Sequence, residues 1–167
     1  SQARFGMSGT SNATRGLFSG GYVAPTGLNT IDYISIATLG NAQDFGDSTN
    51  TRLIMGSCSS PTRSVQFGGS TPSGAENVID YVTIQTLGNA IDFGDKTASE
   101  AGAACASSTR GLFAGGSVPS PSTNNSIEYV TISSLGDTVD FGDLRNSGSV
   151  STFSAFSSST RGIFSGG

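Results

Sequence analysis

Apolar and polar residues alternate along this chain in three short segments that recur between glycine-rich turns. The first segment runs from a Thr-Arg pair to a diglycine and occurs four times, at 14–21, 62–69, 109–116 and 160–167. The second, Ile-Asp/Glu-Tyr-Ile/Val-Ser/Thr-Ile, occurs at 31–36, 79–84 and 127–132. The third, Asp-Phe-Gly-Asp, occurs at 44–47, 92–95 and 140–143. Short segments rich in β-branched and aromatic residues, bounded by glycine, predict β-strands.

These segments keep a constant order and period. The tyrosines of the second segment lie 48 residues apart (81−33 and 129−81), and the arginines of the first lie 48, 47 and 51 apart (63−15, 110−63 and 161−110). A fixed period of this length indicates a repeat architecture. A fourth strand per repeat fits the small-residue stretches before each Thr-Arg pair: Arg4–Gly9, Arg52–Cys58, Ala101–Ala106 and Ser149–Phe156. The sequence therefore predicts an all-β chain with four antiparallel strands in each repeat.

The second segment has apolar side chains on both alternating faces, so its sheet must be covered on both sides. A propeller blade, held between two neighbouring blades, provides that environment. The sequences Leu39–Asn41, Leu87–Asn89 and Leu135–Asp137 are typical of tight turns between the second and third segments. Small residues in the fourth strand suit an innermost position, where blades crowd near the axis.

A diglycine at a strand end, an aromatic residue about a dozen positions later and another aromatic at the last strand resemble the kelch repeat. Kelch propellers normally carry Trp at that last aromatic, where this chain has Phe45, Phe93 and Phe141. The amino-acid sequence of the three segments is also similar to kelch-like repeats in tail-fibre or structural proteins of phages, cyanophages among them. The resemblance implies a β-propeller of four-stranded antiparallel blades at 1–47, 48–95 and 96–143, with a partial blade at 144–167. Closed propellers have about four to eight blades, so we expect this array to belong to a larger propeller, the alternative being several copies sharing one ring.

Most charged residues lie at positions that recur in every repeat, which favours a structural role for them. Nine of the twelve acidic residues lie at positions that recur with the period. We expect each repeat arginine to pair with an aspartate of the Asp-Phe-Gly-Asp turn, and other carboxylates to accept backbone N–H bonds in turns. The residues concerned are Arg15, Arg63, Arg110, Arg161, Asp44, Asp47, Asp92, Asp95, Asp140 and Asp143.

Metal and cofactor chemistry is not expected. The Asp-Phe-Gly-Asp turn is the rival calcium site, but two aspartates three positions apart fall short of the dense carboxylate loops that bind calcium. Cys58 and Cys105 occupy equivalent slots, five residues before the repeat arginine (63−58 and 110−105), and are predicted to be buried thiols. The chain has no histidine, so it cannot form a Ser-His-Asp or Cys-His catalytic arrangement from its own residues.

Connections after the diglycines differ between repeats, at Tyr22–Thr30, Ser70–Asn77 and Ser117–Ser126. Variable loops on a rigid scaffold are where recognition is usually found. Side chains of these loops that can hydrogen-bond or stack on a sugar are Tyr22, Asn29, Glu76, Asn124 and Asn125. The alternative is that they are merely solvated turns.

The net charge of the chain limits the kinds of molecule that it can bind. A formal net charge of −4 argues against binding nucleic acid through a basic surface, and no apolar run is long enough to insert into a membrane. The expectation is a non-catalytic module of a phage tail fibre or another virion or extracellular protein, which contacts a host-surface glycan or protein and other chains of its assembly. The alternatives are a purely architectural fibre or decoration module made of several copies, and an enzyme acting on polysaccharide.

Overall fold

The β-branched and aromatic segments form strands, and the glycine-rich stretches connect them. The structure is a computed structural model that describes residues 2–98, 101–117, 124–145 and 153–166. Within those residues every regular element is a β-strand. The strands are β1 (Ser8–Ser11), β2 (Arg15–Ser19), β3 (Tyr22–Val23), β4 (Thr26–Gly27), β5 (Thr30–Ser35), β6 (Gln43–Asp47), β7 (Gly56–Ser59), β8 (Arg63–Phe67), β9 (Ser70–Thr71), β10 (Gly74–Ala75), β11 (Val78–Thr83), β12 (Ile91–Asp95), β13 (Ala101–Ala106), β14 (Arg110–Ser117), β15 (Ser126–Thr131), β16 (Val139–Asp143), β17 (Phe153–Ser157) and β18 (Gly162–Gly166).

Each of the three full repeats forms one four-stranded antiparallel sheet. The strand orders are β1-β2-β5-β6, β7-β8-β11-β12 and β13-β14-β15-β16, so neighbours in sequence are neighbours in the sheet. Two small hairpins, β3–β4 and β9–β10, stand outside these sheets, and β17 pairs with β18. The predicted all-β class with four antiparallel strands per repeat is confirmed. The sheets in the described part of the chain do not close into a ring.

A β-bulge recurs between the third and fourth strands of every sheet. In the first sheet Ile31 pairs with Gly46 and Asp32 pairs with Asp44, which leaves Phe45 as the extra residue. The same shift occurs between β11 and β12 and between β15 and β16. Gly46 has φ +144°, a conformation that a side chain would strain. The Phe-Gly pair of the Asp-Phe-Gly-Asp segment therefore forms the bulge.

The core lies between successive sheets, and the second sheet packs on both of its faces. Leu17, Ile31 and Phe45 of the first sheet pack with Val82 and Ile84 of the second. The opposite face of the second sheet packs against the third through a larger cluster. The buried members of that cluster are Cys58, Val65, Phe67, Ile79, Tyr81, Phe93, Phe113, Val130 and Ile132.

The first strands of successive repeats lie side by side, as the small-residue stretches predict. Gly56 allows this approach: a Cβ there would lie 2.8 Å from the Phe113 ring and 3.1 Å from the carbonyl oxygen of Gly102 in the next first strand. Serine hydroxyl groups also form hydrogen bonds between these first strands. Ser59 Oγ donates to the Ser11 carbonyl at 2.7 Å, for example.

Predicted bounds for these first strands need correction in two repeats. Arg4–Gly9 and Arg52–Cys58 were expected, but the strands are β1 (Ser8–Ser11) and β7 (Gly56–Ser59). The residues just before these strands pair with the hairpins after the diglycines instead: Phe5 forms a β-bridge with Tyr22, and Leu53 forms one with Ser70. The expected Ala101–Ala106 matches β13, and β17 begins at Phe153, whereas positions 149–152 of the predicted Ser149–Phe156 strand lie outside the described residues.

Gly94 and Gly142 occupy the same bulge slot but differ in their surroundings. Both have left-handed φ values, +149° and +141°, so alanine strains the backbone at either position. A Cβ on Gly94 would lie 2.5 Å from the Gly136 carbonyl oxygen, whereas one on Gly142 would meet nothing within 4 Å. We expect Gly94→Ala to lower the free energy of unfolding by about 1–3 kcal/mol more than Gly142→Ala, measured by urea denaturation. Equal losses would contradict packing of one sheet's bulge on the next sheet's turn.

Candidate functional site

The connections after the diglycines lie beside the segments that link one sheet to the next. Gly20 and Gly21 adopt φ +65° and +108°. A Cβ on Gly20 would lie 2.4 Å from the Arg52 carbonyl oxygen, so this chain reversal requires glycine. The Gly21 amide then donates to that carbonyl at 2.8 Å. Hairpins β3–β4 and β9–β10 occupy the first two connections; in the third, positions 118–123 lie outside the described residues.

The second connection and the first inter-sheet segment enclose an open polar cleft of about 490 Å³. Thr71, Pro72 and Ser73 form one wall, and Asn50 and Thr51 form the other. Glu76 is half-buried in this cleft. Its amide donates to the Gly69 carbonyl at 2.9 Å, which fixes the backbone. Its carboxylate has no hydrogen-bond partner among the described residues, so it is free to accept bonds from a ligand.

The other predicted binding residues are not gathered around this cleft. Tyr22 lies in β3, and its ring packs edge-on against Phe5 at 5.4 Å between centroids. Asn124 Oδ1 accepts the Ser126 amide at 2.9 Å and so supports the start of β15. Glu76 is the predicted residue that lines the cleft.

Asn29 and Asn125 belong to a repeated slot that also contains Asn77. Their backbone carbonyls accept the amides of Ser48 and Leu144 at 2.7 Å, and the Asn77 carbonyl accepts the Lys96 amide at 2.8 Å. The common role is to hold the chain as it leaves each fourth strand. The spacing of 48 residues (77−29 and 125−77) is the sequence signal that distinguishes these asparagines from Glu76.

The predicted pairing of repeat arginines with Asp-Phe-Gly-Asp carboxylates is wrong for Arg15 and Arg63. Arg15 Nη1 donates to the Ile84 carbonyl of the next sheet at 2.8 Å, and Arg63 makes the same bond to Ile132. Each guanidinium also lies over the tyrosine of its own sheet, 4.9 Å from the Tyr33 centroid for Arg15. A planar cation suits both contacts, because its face covers the ring while its edge donates.

The remaining repeat positions are placed as follows. Arg110 lies over the Tyr129 ring at 4.9 Å, and Arg161 is exposed in the turn before β18. Asp44, Asp92 and Asp140 are exposed on the fourth strands. The Asp47 and Asp95 amides donate to the side chains of Asn89 and Asp137 in the next sheet's turn, at 3.0 and 2.9 Å, and Asp143 ends β16.

Two ion pairs that the sequence reasoning missed link the segment before a first strand to the third strand of the same sheet. Arg4 Nη2 lies 2.9 Å from Asp32 Oδ2, and Arg52 Nη2 lies 2.6 Å from Asp80 Oδ2. The second pair is completely buried, and Asp80 also accepts the amide and hydroxyl of Thr49. A buried carboxylate is tolerable only with such partners. The signal was present, because both pairs repeat after 48 residues (52−4 and 80−32).

Arg63 and Arg110 form a matched pair for testing the inter-sheet bond. Arg63 has both the Tyr81 contact, at 4.5 Å, and the bond to the Ile132 carbonyl, whereas Arg110 has the ring contact and no carbonyl bond among the described residues. We expect Arg63→Ala to cost about 1.5–3 kcal/mol more unfolding free energy than Arg110→Ala, because a charged hydrogen bond is lost. Chemical denaturation of both variants measures this, and equal costs would show that the carbonyl bond contributes nothing.

Hairpin tips at the start of the second strands converge on a shallow depression of about 370 Å³. Its lining comes from all four repeats and is rich in hydroxyl groups. One polar side chain from each repeat is engaged in its turn: Asn12 Oδ1 accepts the Arg15 amide, and the Ser60, Ser107 and Ser158 hydroxyls accept the equivalent arginine amides in their repeats. Such side-chain bonds stabilise turns, so this depression is explained by the repeat itself.

Cys58 and Cys105 are buried between successive repeats, as predicted. A Cβ on Gly111 would lie 2.9 Å from Cys58 Sγ, and one on Gly162 would lie 2.8 Å from Cys105 Sγ, so each thiol fills the space that a glycine leaves. Burial raises the pKa of the Cys58 thiol far above its usual value, and the neighbouring Cys105 raises it further. Burial also raises the pKa of Cys105.

The raised pKa of Cys58 makes stability depend on alkaline pH. In the unfolded chain this thiol loses its proton near pH 8.5, but in the folded chain it stays protonated. Unfolding therefore releases a proton above that pH, and the free energy of unfolding falls as pH rises, by up to about 1.4 kcal/mol per unit for this thiol. Urea denaturation between pH 7.5 and 10 tests this. We expect a shallower decline in Cys58→Ala, and an unchanged slope in that variant would contradict the assignment.

In the described ranges, no three residues of the kinds that bind metals (His, Cys, Asp or Glu) are grouped as a metal site. No helix in that part of the chain is long and apolar enough to cross a membrane. Comparison with models of protein families and with curated proteins finds no match for this chain.

Proposed function

We propose that this chain is a non-catalytic recognition module of kelch-like propeller type, in a phage tail fibre or another virion or extracellular structural protein, and that it contacts a host-surface glycan. The propeller interpretation is supported by three consecutive four-stranded antiparallel sheets whose first strands lie side by side. An origin in a phage protein is supported by the resemblance of the repeat sequence to kelch-like tail-fibre repeats.

The observation that carries the recognition proposal is the polar cleft beside Glu76. A free carboxylate, the Asn50 amide and the hydroxyls of Thr51 and Ser73 offer the acceptors and donors that sugar hydroxyls require. The surrounding sheets hold the loop, so little ordering entropy is lost when a ligand binds. A glycan is therefore a suitable ligand class for this cleft.

The same cleft favours binding over catalysis. Glycoside hydrolysis generally uses two carboxyl groups on either side of the scissile bond. Glu76 supplies one, and the other lining residues are Asn50, Thr51, Thr71, Pro72 and Ser73. A second carboxyl group is therefore missing from the lining, which supports the non-catalytic proposal over the polysaccharide-acting enzyme.

Glycan-array binding by the chain tests this function. We expect a defined set of surface glycans to bind, and Glu76→Gln to weaken that binding by about tenfold or more, because hydrogen bonds to a charged group are lost. Asp92→Asn is the matched control, since it removes the same charge from an exposed position of the same repeat. Equal losses in the two variants would exclude the cleft, and the absence of any bound glycan would exclude glycan recognition.

An architectural role in a fibre or decoration is the second candidate. It is favoured by apolar side chains that lie exposed in the last part of the array, among them Phe141 and Ile163, which line one groove. Contiguous exposed apolar side chains commonly mark an interaction surface.

A further inference from the structure

The hairpin of β17 and β18 presents a strand edge that the other repeats cover. The second strand pairs with the third strand in each full repeat, as β14 pairs with β15 from Arg110 opposite Thr131 to Ala114 opposite Ile127. β18 is the corresponding second strand, and it pairs with β17 along one edge. Its other edge has no strand partner in the described part of the chain, so its N–H and C=O groups can template another strand.

Apolar side chains around this edge are exposed where their counterparts are buried. Phe45 and Phe93 are 2% exposed, because the turn of the following repeat covers them, but Phe141 in the same slot is 52% exposed. Leu17 and Val65 are buried in the second strands, whereas Ile163 in the same slot is 47% exposed. Within the described ranges, no element covers Phe141 and Ile163 as the following repeat covers their counterparts.

Phe141 and Ile163 line a groove of about 550 Å³ between the third sheet and the β17–β18 hairpin, here named the acceptor groove. Its lining is mainly apolar and includes Arg110, Leu112, Ile127, Phe141, Ile163 and Phe164. An occupant of this groove would also have to offer a hydrogen-bond acceptor to Arg110. Arg15 and Arg63 each donate to the carbonyl of the last isoleucine in the next repeat's third strand, and Arg110 is exposed and lacks that acceptor among the described residues.

The bulge of the third sheet has backbone groups that, in the other sheets, bond to a turn of the next repeat. The Phe93 carbonyl accepts the Gly136 amide at 2.8 Å, and the Asp95 amide donates to Asp137 Oδ1 at 2.9 Å. The equivalent groups at Phe141 and Asp143 have no such partners in the described ranges. An occupant with a Leu-Gly-Asn or Leu-Gly-Asp turn satisfies both of them.

We propose that the acceptor groove binds a polypeptide β-hairpin of the repeat's own third- and fourth-strand type. The occupant's first strand has the pattern Ile-Asp/Glu-Tyr-Ile/Val-Ser/Thr-Ile, its turn contains Leu-Gly-Asn/Asp, and its second strand contains Asp-Phe-Gly-Asp. It pairs antiparallel with β18, with its tyrosine opposite Ile163 and its Ser or Thr opposite Arg161. Binding is by strand addition, in which the backbone supplies affinity and alternate side chains supply specificity.

A synthetic peptide of residues 126–143 of this chain, labelled with a fluorophore, is the probe. We expect saturable binding to the whole chain at one peptide per chain by fluorescence anisotropy. Hydrogen exchange of the amides at 162–166 should slow by about tenfold or more when the peptide binds. A control peptide in which Tyr129 and Ile132 are replaced by aspartate should not bind, because those side chains enter the groove.

Chain variants locate the site. Ile163→Asp should weaken peptide binding by about tenfold or more, since a charge replaces an apolar contact. Leu87→Asp makes the same chemical change at an exposed turn of the second repeat and should leave binding unchanged. Circular dichroism of both variants verifies folding, and the hydrogen-exchange result on the unsubstituted chain does not depend on either.

Three outcomes would overturn the proposal. The first is no saturable binding of the peptide, and the second is binding with protection at a strand edge other than β18. The third is a chain whose 162–166 amides are already protected without peptide and whose exchange does not change when peptide is added, since that edge of β18 would then not be an open acceptor. None of these outcomes bears on glycan binding at Glu76, so the two proposals fail independently.

Discussion

Each sheet of this protein has apolar side chains on both faces, and this constraint governs how the repeats are assembled. In the second sheet, Ile79 and Tyr81 pack towards the third sheet while Val82 packs towards the first. A sheet of this kind buries its apolar side chains on both faces only when it lies between two neighbours, so each neighbour adds to its stability. Stability is then a property of neighbouring repeats rather than of single repeats, as in other repeat proteins.

Polar contacts fix the positions of neighbouring sheets, which apolar packing alone would leave loosely specified. At the fourth-strand edge, the bulge of one sheet contacts the turn of the next, with the Gly88 amide donating to the Phe45 carbonyl. In the middle of the sheet, the Arg15 side chain donates to the Ile84 carbonyl, just after the next sheet's third strand. At the first-strand edge, facing residues match in size and polarity: the Thr10 and Ser64 hydroxyls bond to each other at 2.7 Å, while Cys58 packs on Gly111. Each contact depends on register, so together they select one arrangement.

The sequence was sufficient for the strand order, the repeat and the covering of both faces, because these follow from side-chain periodicity. It was insufficient for the partner of Arg15, which lies 69 residues away in the next repeat. Charge complementarity suggested an aspartate, but a backbone carbonyl is an equally good acceptor and leaves no mark in the sequence. The Arg52–Asp80 pair did leave a mark, since it recurs with the period. It was missed because Arg52 lies in a segment that was interpreted as strand, whereas the backbone there bridges to the β9 hairpin.

Candidate functional residues in such an array are those that break the period. A side chain present in every repeat is generally occupied by contacts between repeats, as Arg15 and Arg63 illustrate with their bonds to the Ile84 and Ile132 carbonyls. Glu76 has Leu28 and Asn124 as its counterparts, so its carboxylate serves no contact that every repeat needs. It can therefore change without loss of the fold, and a loop that can change freely is where a ligand contact can arise. The same reasoning applies to the acceptor groove from the opposite direction. There the residues match those of the other repeats, no described hairpin covers them, and the repeat itself specifies the chemistry of what would fit.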